Sequence, residues 1–444
     1  MSSEKNSPTW AAPERAHVLE HALSLPGSKS LTNRELVLSA IASGPSLLRR
    51  PLHSRDTDLM VTALEALGAT ITSVAGDGEF GPDYQITPFI AGGTVDATID
   101  CGLAGTVMRF VPPLSLIRHG PIAFDGDSAA RRRPMATTLD ALSQLGIEVD
   151  VDAAKTLPFS LQGSGITPGG DITIDASASS QFVSGLLLVA TVLPRGLTIR
   201  HSGKNLPSLP HIEMTMETLR QRGVAVSSPE TGVWRVEPGV IEPREVLIEP
   251  DLSNAAPFLA APLITGGQVS ITGWPNNTTQ VGARVPELLE TYGAKVRIEG
   301  ESVTIDGGMG WRNGGEIPGV DLDLGEAGEL APTFIALSAL SREPSRFRGI
   351  GHLRGHETDR LQALVANINA LGGNAEETPD GIAITPGALD GGLWRAYEDH
   401  RMATSGALLG LGVRGIMVDD IACTAKTLPE FESLWLELVE SPRP

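Results

Sequence analysis

Residues 56–72 read DTDLMVTALEALGATIT, and residues 281–298 read VGARVPELLETYGAKVRI. Both have a polar start, an amphipathic helical stretch, a glycine and then an alternating run. The same unit recurs at 133–149 (RPMATTLDALSQLGIEV), 209–226 (LPHIEMTMETLRQRGVAV) and 357–374 (ETDRLQALVANINALGGN). A sixth copy, TLPEFESLWLELV at 427–439, keeps only the helix. Gly68, Gly146, Gly223, Gly293 and Gly372 stand where a helix end favours a left-handed residue. The run after each glycine alternates, as Ala294, Val296 and Ile298 do, which predicts a strand. Further strands are expected at 197–200 and 268–272, bounded by Gly and Pro. No single unit can bury its own apolar face, so several must pack together.

A second class of helix is apolar on most faces and predicts interior positions: 105–116, 180–190, 253–261 and 329–340. The helices at 180–190 and 253–261 each follow an Asp-containing strand end, IDASAS and IEPDLS. Together these readings define an α/β chain of α+β repeats.

Chemistry-bearing residues gather at the starts of these helices. Residues 25–38, LPGSKSLTNRELVL, run from a Pro-Gly turn into Ser28, Lys29, Ser30 and Arg34. Free backbone N–H groups, hydroxyls and two cations make an oxyanion cradle. A capped helix with solvated charge is the competing reading. CGLAGTVMRF at 101–110 adds Gly105, Thr106 and Arg109 to a glycine turn that lets a ligand approach the backbone. Arg131 and Arg132 read as solvated, whereas Arg133, next to Pro134, has a more defined position. Ser179, Ser180 and Gln181 open a buried helix, where capping is the ordinary explanation. HETDR at 356–360 is expected to begin a helix that puts His356 and Arg360 on one face, with Glu357 adjacent. YEDHRM at 397–402 and CTAKTL at 423–428 bring Arg401 and Lys426 into apolar surroundings.

The chain has 444 residues, enough for two or three domains. A formal net charge of −19 disfavours a nucleic-acid surface but permits a local cationic pocket for a small anion. Two cysteines, Cys101 and Cys423, sit in no metal-ligand spacing, so free thiols in a reducing, cytoplasmic setting are expected and no metal site is. Residues 1–17 lack the apolar core of a signal peptide, and the longest apolar run, near 183–193, is too short to cross a membrane.

The motifs PGSKSLTNR, LAGTVMR, RRP, SASSQF, HETDR, EDHRM and CTAKT, in that order, resemble the 5-enolpyruvylshikimate-3-phosphate synthases (3-phosphoshikimate 1-carboxyvinyltransferases) of the enolpyruvyl transferase family. The resemblance runs from about residue 16 to about residue 439. It implies two similar domains of three β-α-β-α-β-β units each, with the active site in the cleft between them. One domain is expected to be discontinuous, residues 1–27 plus 251–444, and the other to be residues 28–250. The implied reaction moves the enolpyruvyl group of phosphoenolpyruvate to the 5-hydroxyl of shikimate 3-phosphate through a tetrahedral intermediate, in the shikimate pathway to chorismate and the aromatic amino acids. No cofactor is implied. A soluble monomer is the expectation.

By the same resemblance, Lys29, Ser30, Arg34, Ser179, Ser180, Gln181, Ser208, Glu329 and His356 surround shikimate 3-phosphate. Lys29, Gly105, Arg133, Gln181, Arg360, Arg401 and Lys426 surround phosphoenolpyruvate. Glu329, Glu357 and Lys29 are the implied acid–base groups, and arginine forks suit a ligand that carries both phosphate and carboxylate. Glu329 stands where the family commonly has Asp, and His356 where it commonly has Lys, a shorter cation whose charge depends on pH. Leu103 and Phe110 replace a frequent Asn and Pro beside Gly105, which leaves the response to glyphosate open although Gly105 is kept. Three rival readings exist: UDP-N-acetylglucosamine enolpyruvyl transferase, a non-catalytic anion-binding protein on the same scaffold, and RNA-end cyclisation on a related fold. Against the first, residues 118–134 hold no Cys.

Overall fold

The computed structural model of the protein describes residues 9–15, 17–204 and 206–441. The start of the resemblance at residue 16 and the first eight residues lie outside the described residues. The chain forms two compact units, divided between Leu25 and Pro26 and between Glu249 and Pro250.

The unit that runs from Pro26 to Glu249 holds α1 (Lys29–Ala40), α2 (Arg55–Ala66), α3 (Gly105–Phe110), α4 (Ala136–Gln144), α5 (Gln181–Ala190) and α6 (Leu209–Arg220). The other unit holds α7 (Ala256–Thr265), α8 (Val285–Thr291), α9 (Ala331–Ser338), α10 (Arg360–Ala370), α11 (His400–Gly410) and α12 (Phe431–Glu440). Each repeat therefore supplies two helices of different character. The first of each pair is interior: α1, α3 and α5 pack on one another in one unit, and α7, α9 and α11 do so in the other. Phe182 to Ala190 of α5 are all buried, and so is every residue of α3, α7, α9 and α11. The second of each pair is amphipathic and buries one face. Each fully buried Leu, Ile or Phe in these helices contributes about 1.5–3 kcal/mol, so the apolar helices hold each unit together.

Five sheets have four strands and one topology. Gly170–Ile174 pairs in parallel with Leu197–His201, which pairs antiparallel with Val233–Val236, which closes on Val226–Glu230. Asp321–Asp323, Ser345–Arg348, Gly381–Thr385 and Asn374–Thr378 repeat that order. In three of the five sheets the parallel pair is joined through the interior helix, as a β-α-β crossover requires, whereas Glu245–Leu247 beside Ser46–Arg49 and Leu19–Leu23 beside Gly267–Thr272 are parallel partners from distant parts of the chain. The sixth sheet has three strands, because Trp10–Ala11 pairs with Met417–Val418 and takes the place of the missing hairpin. The five expected glycines all have positive φ, from 77° at Gly223 to 103° at Gly68.

Two interior helices are shorter than their apolar runs. Residues 105–116 divide into α3 and a 3-10 turn at Pro112–Leu116, because Pro112 and Pro113 have no N–H to continue the ladder. Residues 329–340 begin as a 3-10 turn, Gly328–Leu330, before α9. HETDR also differs from its expectation. Asp359, at φ −70° and ψ 92°, caps Gln362 N, so the helix starts at Arg360 and His356 and Glu357 lie in the turn before it. They do not share a helical face with Arg360.

Candidate active site

The sequence-selected residues stand at the N-terminal ends of helices or in the turns before them, where unpaired N–H groups and the helix dipole favour anions. In the Pro26–Glu249 unit, Lys29 opens α1 and its Nζ lies 3.3 Å from Asp56 Oδ2. Asp56 is in the first turn of α2, which Ser54 caps by accepting from Thr57 N. Asp56 is nearly fully buried, whereas a fifth of the Lys29 side chain is exposed. The carboxylate therefore anchors the ammonium of a side chain that stays partly open to solvent. Ser30 and Arg34 sit one turn apart on α1. The Arg34 guanidinium points inward, however, and is 1% exposed. It donates to Thr215 Oγ1 (2.8 Å), Ser30 O (2.8 Å) and His211 O (3.0 Å), and lies 5.2 Å from the centre of the Phe110 ring. The Phe110 departure thus stacks on Arg34 and ties α1 to α3 and α6.

Gly105 begins α3 against two arginines. A methyl group there would meet the Arg133 guanidinium at 3.1 Å and 3.2 Å and Arg109 Nη1 at 3.2 Å. Arg133 is buried and donates to Leu103 O at 3.3 Å, and Arg109 reaches Gly105 O and Pro134 O. Thr106 accepts from Asn33 at 2.7 Å. Arg131 is half exposed and pairs with Asp125 at 2.6 Å, as a solvated charge does. Ser179 Oγ accepts from Gln181 N (3.2 Å), the first N–H of α5, while Ser180 is buried at the N-cap. Ser208, at the start of α6, has φ 56° and ψ 45°. A non-glycine residue in that region is sparsely populated and strained, which singles it out.

In the other unit the candidates form one chain of charge. Lys426 Nζ donates to Glu357 Oε1 at 2.7 Å. Arg360 Nη2 donates to Glu357 Oε2 at 3.2 Å. Arg360 also forks onto Asp399, at 2.7 Å and 3.1 Å. Asp399 caps α11 by accepting from Arg401 N at 2.9 Å. Arg401 Nη1 donates to Ser253 O at 2.7 Å, and Ser253 Oγ donates to Glu329 Oε1. Burial works against the charge of Arg360, but Asp399 and Glu357 outweigh it and hold the guanidinium above its ordinary value. Tyr397 and Glu398, both at positive φ, bend the chain just before Asp399.

His356 Nδ1 lies 3.9 Å from Glu357 Oε2. Its ring is 5.8 Å from that of His352. Burial lowers the pKa of His352 to about 4, with a further push down from Arg360, although Gly349 works the other way. A methyl group on Gly328, next to Glu329, would strike His352 Nε2 at 2.6 Å.

Sequence reasoning missed Asp56, Ser253, His352 and Asp399 as members of these clusters. Asp399 lay inside a quoted motif, and its position two residues before Arg401 is an N-cap signal. The other three are brought in only by folding. Among the described residues no cluster of His, Cys, Asp or Glu suits a metal ion, and no helix is long and apolar enough to cross a membrane.

Two units of repeated β-α-β-α-β-β topology, with carboxylates and cations gathered at helix starts, agree with what the resemblance to enolpyruvyl transferases implies. Residues 14–435 match the family model for EPSP synthase (3-phosphoshikimate 1-carboxyvinyltransferase). A 3-phosphoshikimate 1-carboxyvinyltransferase of Kocuria rhizophila is 55% identical over 436 residues, 97% of each chain. One from Mycobacterium ulcerans is 49% identical over 437 residues, 97% of this chain and 98% of that one. The EPSP synthase structure from Acinetobacter baumannii superposes with a TM-score of 0.77 at 22% identity and 97% coverage of both chains, which shows the shared fold. The chain belongs to the EPSP synthase family of transferases.

Proposed function

We infer that the protein transfers the enolpyruvyl group of phosphoenolpyruvate to the 5-hydroxyl of shikimate 3-phosphate and releases phosphate. The observation that carries this reading is the linked set Lys426–Glu357–Arg360–Asp399, with Glu329 tied through Ser253 to Arg401. Two carboxylates stand among buried cations there, which is what proton transfer at opposite ends of one anionic substrate demands.

Glu329 takes the proton of the attacking hydroxyl as it adds to C2 of phosphoenolpyruvate. Glu357 or Lys29 delivers a proton to C3, giving a tetrahedral intermediate, and collapse of that intermediate expels phosphate. Arg133, Arg360, Arg401 and Lys426 with Gly105 hold phosphoenolpyruvate. Lys29 and Gln181 are shared, and Ser30, Arg34, Ser179, Ser180, Ser208 and His356 hold shikimate 3-phosphate. Arg34 acts from below in this reading, because its guanidinium is engaged with Thr215, Ser30 and His211 and orders the start of α1. Of the phosphoenolpyruvate groups, Arg360, Arg401 and Lys426 belong to the unit that contains Glu329, and Lys29, Gly105, Arg133 and Gln181 to the other, which also carries most of the shikimate 3-phosphate groups. The reaction needs no cofactor. Catalysis by a monomer in the cytoplasm completes the reading, with the free thiols Cys101 and Cys423 in its support.

Phosphate release from phosphoenolpyruvate is to be measured with shikimate 3-phosphate and, separately, with UDP-N-acetylglucosamine. Release with the first alone is expected. Release with the second alone moves the protein to the sister reaction, and release with neither makes it an anion-binding protein. Affinity for shikimate 3-phosphate is expected to fall as pH rises through the imidazole range, because His356 loses its charge. An affinity independent of pH from mildly acidic to mildly alkaline buffer removes His356 from the phosphate site.

A further inference from the structure

We propose that His201 is a positioning residue for shikimate 3-phosphate, acting through the turn that carries Ser179, Ser180 and Gln181; the proposal rests on the reading of those residues given above. His201 ends the strand Leu197–His201, in register with Ile174, the last residue of the neighbouring parallel strand. The chain leaves Ile174 directly into the 175–180 turn. There Ala176 N donates to His201 Nδ1 at 3.1 Å. Ser179 N donates to Ala176 O at 3.1 Å, and Ser179 Oγ in turn accepts from Gln181 N. One ring nitrogen is therefore joined, through two peptide groups, to the residue whose hydroxyl accepts from the first N–H of α5.

The contact fixes the state of the ring. A backbone N–H is a donor only, so Nδ1 must be unprotonated and the proton of the neutral ring sits on Nε2. His201 Nε2 is enclosed and has no hydrogen-bond partner among the described residues. The turn closes around it. Asp175 Oδ1 accepts from Ser177 N at 2.9 Å, and Asp175 O accepts from Thr137 Oγ1 at 3.0 Å. A methyl group on Gly203 would meet Ser177 Oγ at 2.1 Å, Asp175 Oδ1 at 2.3 Å and His201 Cε1 at 2.6 Å. The bare α-carbon of Gly203 is what lets the imidazole, the carboxylate and the hydroxyl converge. The hydrogen bonds of Ser177 lead the effects that lower the Asp175 pKa, against the cost of burial.

Two variants separate this role from general stability. Asn places Oδ1 where His has Nδ1 and keeps an acceptor, whereas Leu keeps bulk without one. For His201→Leu, KM for shikimate 3-phosphate is expected to rise roughly five- to tenfold, the loss of one hydrogen bond. KM for phosphoenolpyruvate is expected to rise less, since Gln181 is the one group of its site that follows that turn. His201→Asn is expected to restore the first constant. Nitrogen NMR of the imidazole in the wild-type protein is expected to show the Nε2-protonated tautomer. An Nδ1-protonated ring, equal increases in both KM values, or an Asn variant as impaired as the Leu variant overturns the proposal. If His201→Leu does not fold, the Asn variant and the tautomer decide. If the wild-type protein releases no phosphate with shikimate 3-phosphate, the reaction reading fails and the tautomer alone decides for His201.

Discussion

Two buried arginines, Arg360 in one unit and Arg133 in the other, stand in opposite electrostatic settings. In the unit with Glu329, the cations meet carboxylates: Lys426 meets Glu357, and Arg360 meets both Glu357 and Asp399. In the other unit, Arg133 donates to the Leu103 carbonyl and crowds Gly105 together with Arg109. A buried ion pair holds its own geometry, and an incoming anion must compete with the resident carboxylate. A guanidinium on a carbonyl keeps most of its charge for a ligand. The first setting thus suits proton transfer and preorganisation, and the second suits capture of an anion.

The sharpest way to break this contrast is Asp399→Ala. It leaves the buried Arg360 facing only Glu357 and uncaps α11, with an expected loss of about 3–5 kcal/mol in urea unfolding. A loss below about 1 kcal/mol shows that the pair is not integral to the unit. Glu329→Gln keeps the shape and removes the base. Turnover is expected to fall by roughly a hundredfold or more while substrate binding, measured by calorimetry, stays within about threefold. Unchanged turnover takes Glu329 out of the chemistry.

His352 gives a third test through stability. Its folded pKa lies below that of the unfolded chain, so its contribution is complete above about pH 6.5 and is lost as pH falls toward 4. The wild-type protein is expected to lose on the order of 2 kcal/mol more than His352→Asn across that range. Parallel stability curves for the two proteins assign the acid sensitivity elsewhere. Gly105→Ala sharpens the other half. A methyl group at 3.1–3.2 Å from both guanidiniums is expected to raise KM for phosphoenolpyruvate several-fold and to weaken a longer inhibitor further. The smallest effect is expected for Arg131→Ala, whose exposed pair with Asp125 contributes under about 1 kcal/mol and no activity.

The helices, their glycine ends and the six repeats were legible because each is a local pattern of apolar spacing and backbone conformation. Gly68, Gly146, Gly223, Gly293 and Gly372 are left-handed as their positions require. Pro112 and Pro113 show where the apolar pattern overran the backbone's hydrogen bonding. HETDR shows the same limit, since an Asp359 cap begins the helix four residues later than the motif does. The charged residues of the candidate site were also legible, as residue types in unusual surroundings, but their partners were not.

The sequence by itself determined the repeat, the family and which helix starts carry cations and carboxylates. Tertiary structure alone decided that Arg34 turns inward to Thr215, that Lys29 meets Asp56, that Glu357 stands between Lys426 and Arg360, and that His201 holds the turn before α5. The physical reason is range. Periodicity and capping are set by neighbours within one or two turns, whereas an ion pair or a buried hydrogen bond depends on which distant strand or helix the packing brings within about 3 Å.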